Sequence, residues 1–298
     1  MERTLAVGAI VENPKCPQWG PGKVLTLEGS KAKVYFRDLF VTKLDEGLKT
    51  MQVNSLALAP TQRDDWLNHL PPFADGRFKS ETKPVAFDQA VKSFLHRYPL
   101  RFEDPKYLEN ERDYKWDAHT YLATELAPWI SGSTSVTSDI ARLTEIAISG
   151  AAVRVNLLSQ YEQMALRDGL KDQAAARTFF ERLFVLVKAP APNDIHFAPY
   201  IEAVESLPAK VGRARVATWP ILTIMPYLIA PDRFLFLKPE VTKKAADRLL
   251  FDLLYSSKLS WATYSRLLKM SQLLINRLRP LGARDYIDVQ SFIFLTGE

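Results

Sequence analysis

Five residues near the N-terminus, Trp19, Lys23, Lys33, Tyr35 and Arg37, combine the two side-chain types that hold nucleic acids. Aromatic rings stack on bases, and Lys or Arg neutralises phosphates. The two rings have a competing use. A domain of about sixty residues has few other large side chains, so filling its core is the favoured role for Trp19 and Tyr35. Lys23, Lys33 and Arg37 are expected at the surface and are the better candidates for contact with an anionic partner.

A second basic group comprises Arg213, Arg215, Arg233, Lys238 and Lys243, with Lys244 beside it. The run Lys238-Pro239-Glu240-Val241-Thr242-Lys243-Lys244 reads as a helix start, where free backbone N–H groups and the helix dipole favour an anion. A solvated basic helix end explains the same residues and is the favoured reading.

Catalytic patterns are weaker. Pro231-Asp232 invites comparison with the PD-(D/E)xK nucleases, but Phe236 stands where the second acid belongs, and Glu240 lies three residues before Lys243. Acids able to hold Mg²⁺ would have to come from Asp113, Asp117, Glu125 and Glu145, spread over helical segments. His69, His96, His119 and His196 form no His-x-x-x-His pair, so no metal is expected. Asp117 and His119 are two apart and point to different helix faces. Ser131-Gly132-Ser133-Thr134-Ser135 lacks the final Gly of a nucleophile elbow. No phosphate-cradling Gly-rich loop occurs, which removes nucleoside-triphosphatase and dinucleotide-binding readings, and no cofactor is expected.

The elements that position these residues change character along the chain. Ile10-Val11, Lys23–Leu27, Lys33–Phe36 and Lys49–Val53 are strand-like runs, separated by turns rich in Pro and Gly. Gly20, Gly22 and Gly29 mark turns or close backbone approaches. Residues 60–84, punctuated by Pro60, Pro71, Pro72, Gly76 and Pro84, read as a linker, with a short helix near Asp64–Leu67. From Val85 onward the period is helical. Phe87, Ala90, Val91, Phe94 and Leu95 share a face. A long helix is expected from Asp139 to Met164, capped by Thr137 or Ser138, with Val153 and Leu157 inward. Further helices are expected over 172–187, over 243–254 and from Ser260 to Pro280. The apolar tail from Ile287 to Leu295 is expected to dock on the body.

The expected architecture is therefore α+β and multidomain. A small β-barrel spans residues 1–59, a linker 60–84 and a mostly α-helical domain 85–298. Apolar residues make up 47% and charged residues 24% of the 298, the balance of a soluble globular chain. The apolar run 219–230 is broken by Pro220 and Pro226, so no membrane span or membrane association is expected. Without an apolar leader, and with a single cysteine, Cys16, the expected compartment is the cytoplasm. The net charge of +5 is uneven. Residues 1–60 carry 8 Lys/Arg against 6 Asp/Glu, residues 61–204 carry 17 against 20, and residues 205–298 carry 14 against 8. Basic ends suit a nucleic-acid or acidic partner.

The pattern Gly8-x-Ile10-Val11 … Trp19-Gly20-x-Gly22-Lys23-Val24 … Lys33-Val34-x-Phe36 resembles an SH3/Tudor-like barrel. It is similar to the C-terminal domain of UvrD/PcrA-type repair helicases and, more distantly, to the RNA-polymerase-interacting domains of CarD and the transcription-repair coupling factor. In those families the barrel is a non-catalytic docking platform for RNA polymerase, nucleic acid or another protein. The runs Phe236-Leu237-Lys238-Pro239-x-Val241-Thr242-Lys243 and Asp285-x-Ile287-Asp288-Val289-Gln290-Ser291-Phe292 resemble the tails of uncharacterised bacterial proteins, without an implied activity. The resemblance implies a non-enzymatic recruiter of nucleic acid or of a nucleic-acid machine, in repair, transcription or phage defence. A metal-dependent nucleic-acid enzyme and a protein-interaction scaffold are the alternatives.

Overall fold

Alternating residues in the first sixty positions form five antiparallel strands in the computed structural model, which describes residues 5–59, 65–209 and 215–298. The strands are β1 (Ile10–Glu12), β2 (Gly22–Glu28), β3 (Lys31–Phe36), β4 (Leu48–Gln52) and β5 (Ala57–Leu58). Their order is β4-β3-β2-β1-β5. The two-residue side-chain period sends Val11, Val24, Ala32, Val34 and Phe36 to one buried face. A register shift between Val24 and Thr26 lets Leu27, three residues on from Val24, return to that face. Gly22 lies against this core, where an added Cβ would stand 2.7 Å from the Phe36 ring and Val34 Cγ1. Gly29 turns β2 into β3 with φ 59°.

The chain divides into two compact units. The first joins the N-terminal residues through Arg97 to Lys243–Leu253 and Thr296–Glu298. The stretch expected to be a linker is packed within this unit from residue 65 on; Asp64 lies outside the described residues. Trp66 is buried, donates its indole N–H to Leu249 O at 3.1 Å and meets Phe251 edge-on. Asp247 accepts from Ser80 Oγ at 3.0 Å, Glu81 N at 3.2 Å and Thr82 N at 2.6 Å. These partners are far away in sequence, which is why proline spacing alone reads as a connector. Between them, β6 (Phe73–Ala74) and β7 (Arg77–Phe78) form a hairpin. A four-residue helix α1 (Leu44–Gly47) precedes β4, and α2 (Phe87–Arg97) buries Ala90 and Phe94 as its period requires.

The second unit, Tyr98–Thr242 with Leu254–Leu295, is helical. A turn α3 (Pro105–Tyr107) runs through a π-segment, Leu108–Arg112, into α4 (Asp113–Ser131). The long helix expected from Asp139 to Met164 is two helices. The first, α5 (Ile140–Ile148), is capped by Asp139, not by Thr137 or Ser138, and ends in a π-segment at Val153. The second, α6 (Gln160–Gly169), starts afresh from the Ser159–Glu162 capping box. Val153, expected inward, is 65% exposed, because a period fitted across the break assigns faces that no single helix carries. Then follow α7 (Gln173–Lys188) capped by Asp172, α8 (Asp194–Glu205) and α9 (Trp219–Ile229). Every residue of α9 is buried, and it packs against α4, α6, α7 and the Ser149–Val153 segment. The apolar run broken by prolines is thus the centre of this unit.

Helix α10 (Pro239–Arg248) starts four residues before the expected Lys243 and stops six residues short of the expected end at Leu254; Leu250 and Leu254 have positive φ. Ser260 caps α11 (Trp261–Leu278), and the apolar tail forms α12 (Tyr286–Gly297). No helix among the described residues is long and apolar enough to cross a membrane.

Candidate functional site

Strand register sorts the N-terminal candidates onto different surfaces. Residues directly opposite across an antiparallel pair share a face. Lys23 opposes Tyr35, Thr26 opposes Lys33, and Glu28 opposes Lys31. Thr50 and Gln52 extend the same rows from β4. In β1, Ile10 opposes Lys23, which puts Glu12 on the same side, so the face turned away from the core carries three lysines and two acids. Lys31 is exposed, and Lys23 and Lys33 are partly so. Tyr35 does not join this surface as a stacking ring. It is 2% exposed, covered by the β6–β7 hairpin, with Phe78 edge-on at 5.1 Å. The Lys33 ammonium lies 5.4 Å from the centre of the Phe73 ring, leaving its charge at the hairpin margin. Arg37 follows β3 and is paired with Asp38 at 3.4 Å.

Trp19 sits elsewhere. Its ring is edge-on to Phe36 at 5.3 Å, so one part serves the core while the rest borders an open depression of about 410 Å³. Leu39, Val41, Thr42, Glu46 and Lys49 complete the lining. Gly20, at φ 67°, closes the Trp19 turn against Asp38, where a Cβ would come 2.7 Å from Asp38 Oδ2. Glu46 cinches the opposite wall. Its Oε2 accepts from the backbone N–H of Val41 at 3.2 Å, Thr42 at 2.8 Å and Lys43 at 3.1 Å. Its Oε1 accepts from the Thr42 hydroxyl at 2.8 Å. The backbone donors of Thr42 and Lys43 lead in stabilising the ionised carboxylate and hold its pKa down at about 2.

The C-terminal basic group does not form one anion site. Arg213 lies outside the described residues. Arg215 is exposed. Arg233 donates to Ala189 O, the carbonyl that ends α7, and pairs with Asp232 at 3.3 Å. Lys238 reaches Leu157 O at 3.4 Å. Lys243 is partly exposed on α10, and its neighbour Lys244 donates to Glu298 O. Arg233, Lys238 and Lys244 thus satisfy backbone carbonyls, those of Ala189 and Glu298 lying just past the ends of α7 and the last helix, as basic side chains commonly do.

Nor do the four candidate acids converge. Glu125 and Glu145 are bridged by Arg142 at 2.8 and 3.0 Å, while Asp113 and Asp117 are exposed on α4. Among the described residues no three His, Cys, Asp or Glu side chains are grouped to hold a metal ion. His119 bonds through Nδ1 to Leu228 O.

Sequence reasoning missed one polar centre altogether. In the second unit, Arg112 makes a two-pronged pair with Asp285 at 2.7 and 2.9 Å and reaches Asp288 Oδ1 at 2.8 Å. Asp288, fully buried, also accepts from the Tyr107 hydroxyl at 2.6 Å and from Arg284 N and Nε at 2.8 and 3.0 Å. One turn along α4, Lys115 donates to Glu111 at 3.2 Å, Gln290 at 2.8 Å and Ser291 at 3.0 Å. Three cations meet three carboxylates. Burial opposes the charge on Arg112, yet its bonds to Asp285 and the charge of Asp288 push its pKa up. Burial outweighs Glu111 at Lys115 and brings its pKa down to about 8. Burial and the Asp288 charge push that of Tyr107 well up. A lowered lysine pKa beside a serine is a pattern seen at active sites. Here Lys115 and Ser291 are 1% and 0% exposed, so no substrate reaches them and the network joins α12 to α4.

The chain matches no family model, no curated protein and no solved structure.

The signal that could have located the network is the tail run Asp285–Phe292 itself, which holds Asp285, Asp288, Gln290 and Ser291. Asp285 precedes α12 and the other three lie on it, and a tail read as an apolar stretch that docks gives these polar residues no role until the partners from α4 and the Tyr107 turn are known.

Proposed function

We propose that this protein is a non-enzymatic, cytoplasmic, nucleic-acid-associated recruitment protein. Its N-terminal sheet is a small SH3/Tudor-like barrel that docks on nucleic acid or on a nucleic-acid machine of the RNA-polymerase or helicase type. The order β4-β3-β2-β1-β5, with β5 returning to β1, supports the barrel reading. The observation that carries the functional reading is the register of β2 and β3, which sets Lys23, Lys31 and Lys33 on one face, in excess over the acids Glu28 and Glu12 that share it. A row of flexible cations on a pleated surface tracks a phosphate backbone without reading bases.

Fluorescence anisotropy of the full chain with single- and double-stranded DNA and RNA, at two salt concentrations and with Mg²⁺, tests this. The expectation is salt-dependent binding with the probe left intact. A Lys23→Ala/Lys31→Ala/Lys33→Ala variant should bind more weakly at low salt, its salt slope falling by about one for each phosphate that it no longer neutralises. An unchanged slope refutes the assignment of the face. A shortened probe refutes the non-enzymatic reading.

A further inference from the structure

The β6–β7 hairpin divides the sheet face that carries Lys23, Lys31 and Lys33. Phe73 and Phe78 are directly opposite each other in the hairpin, so both turn to the side that meets the sheet. Phe78 is buried and covers Tyr35. Phe73, edge-on to Phe78 at 5.1 Å, stays partly exposed, with the Lys33 ammonium over its ring at 5.4 Å. Tyr35, Lys33 and Lys31 follow one another on this side of β3, so Phe73 stands where the cover ends and the open row begins. Beyond it the floor is polar. Thr26 and Thr50 flank Lys33, and Glu28 and Gln52 flank the exposed Lys31.

The ring is held in place. Asp75 and Gly76 both have positive φ, 52° and 78°, the backbone of a tight two-residue hairpin turn. Lys79 N donates to Pro72 O at 2.8 Å, and Asp247 then ties down Ser80, Glu81 and Thr82. An aromatic side chain fixed before binding loses little freedom when a ligand uses it.

We propose that Phe73 stacks on a nucleobase of a single-stranded nucleic acid whose flanking phosphates lie on Lys33 and Lys31. The inference rests on the nucleic-acid reading of this face and adds the strand type to it. Base stacking on a ring is worth more than an exposed lysine–ring contact, so an incoming base displaces the Lys33 ammonium and leaves it free for a phosphate. Every base has a stacking face, so the contact selects unpaired bases without reading sequence. In a duplex the bases stack on each other and none is offered to Phe73.

The test measures anisotropy of the full chain with three dye-labelled probes of about ten nucleotides: an oligothymidylate, an abasic chain with the same phosphates, and a duplex. Expected is about tenfold tighter binding of the thymidylate than of the abasic chain. Phe73→Leu, which keeps an apolar cover against Phe78, should abolish that ratio while the abasic affinity, the duplex affinity and the salt slope stay unchanged. Phe73→Tyr should retain it. Equal, salt-dependent wild-type binding of the two single chains, an undiminished ratio in Phe73→Leu, or an equal loss of duplex binding in that variant overturns the stacking role while the lysine face stands. Salt-independent binding, or none, with all three probes overturns the lysine face and this inference with it.

Discussion

Asp288→Asn keeps the shape of a fully buried side chain and removes one of six charges from the network that joins α12 to α4. The carboxylate accepts on both oxygens. Tyr107, Arg112 and the Arg284 Nη2 donate to Oδ1 at 2.6, 2.8 and 3.2 Å, while Arg284 N and Nε donate to Oδ2. Whichever way the amide turns, its NH₂ group faces at least two of those donors. Two broken bonds to a charged group, at about 1.5–3 kcal/mol each, cost about 3–6 kcal/mol, and the remaining bonds to the amide oxygen favour the lower part, about 3–5 kcal/mol. That equals the cost of breaking a buried ion pair from one side, and it compares with a total stability of about 5–15 kcal/mol for a domain. In a domain of about 150–250 residues each kcal/mol lowers the midpoint by about 2–4 °C, so calorimetry should show a fall of about 6–20 °C. The control is Asp38→Asn, whose partner pair with Arg37 is partly exposed and is worth less than about 1 kcal/mol. A fall of less than about 2 °C for Asp288→Asn would show that water reaches the carboxylate and that the network is not desolvated.

Lys115 carries a pH signature. Its pKa drops from 10.5 to about 8 on folding, so the unfolded chain binds more protons between those values and this site makes stability rise with pH across them. The urea midpoint of wild type relative to Lys115→Met should therefore climb from pH 8 to about 9.5; a decline refutes the burial argument. Glu46 has the same sign in an acid window: its folded pKa is also lowered, so its contribution is complete above about 4.5 and is lost as pH falls toward about 2. The Thr42 amide resonance should titrate near 2 and lose that transition in Glu46→Gln, whereas an inflection near 4.5 would show the loop is not cinched. Gly22→Ala should cost about 1–3 kcal/mol in urea unfolding, because its Cβ meets Phe36 and Val34 at 2.7 Å in a closed core. Gly8→Ala meets nothing within 4 Å and bears only the strain of φ 87°, so equal destabilisation by the two would refute the packing account.

Local rules, read along the chain, determined much of the scaffold. Alternation in Lys23–Leu27 and Lys31–Phe36, the glycines at 20, 22 and 29, and the caps at Asp172 and Ser260 act within a few residues, so their outcome is written where they stand. The placement of Lys23 and Lys33 on a shared face follows from the same short-range register. Tertiary structure decided the rest. Tyr35 became core because Phe78, more than forty positions on, covers it, and no local pattern distinguishes a covered ring from a stacking one. Arg233 and Lys238 became caps for carbonyls at Ala189 and Leu157, not ligands for phosphate, because a cation's role depends on which acceptor the fold brings to it. The charged network needed Tyr107, Arg112 and Lys115 to meet Asp285–Ser291 across some 175 residues. Hydrophobic and hydrogen-bonding preferences specify what a side chain requires; only the packed chain specifies which partner supplies it.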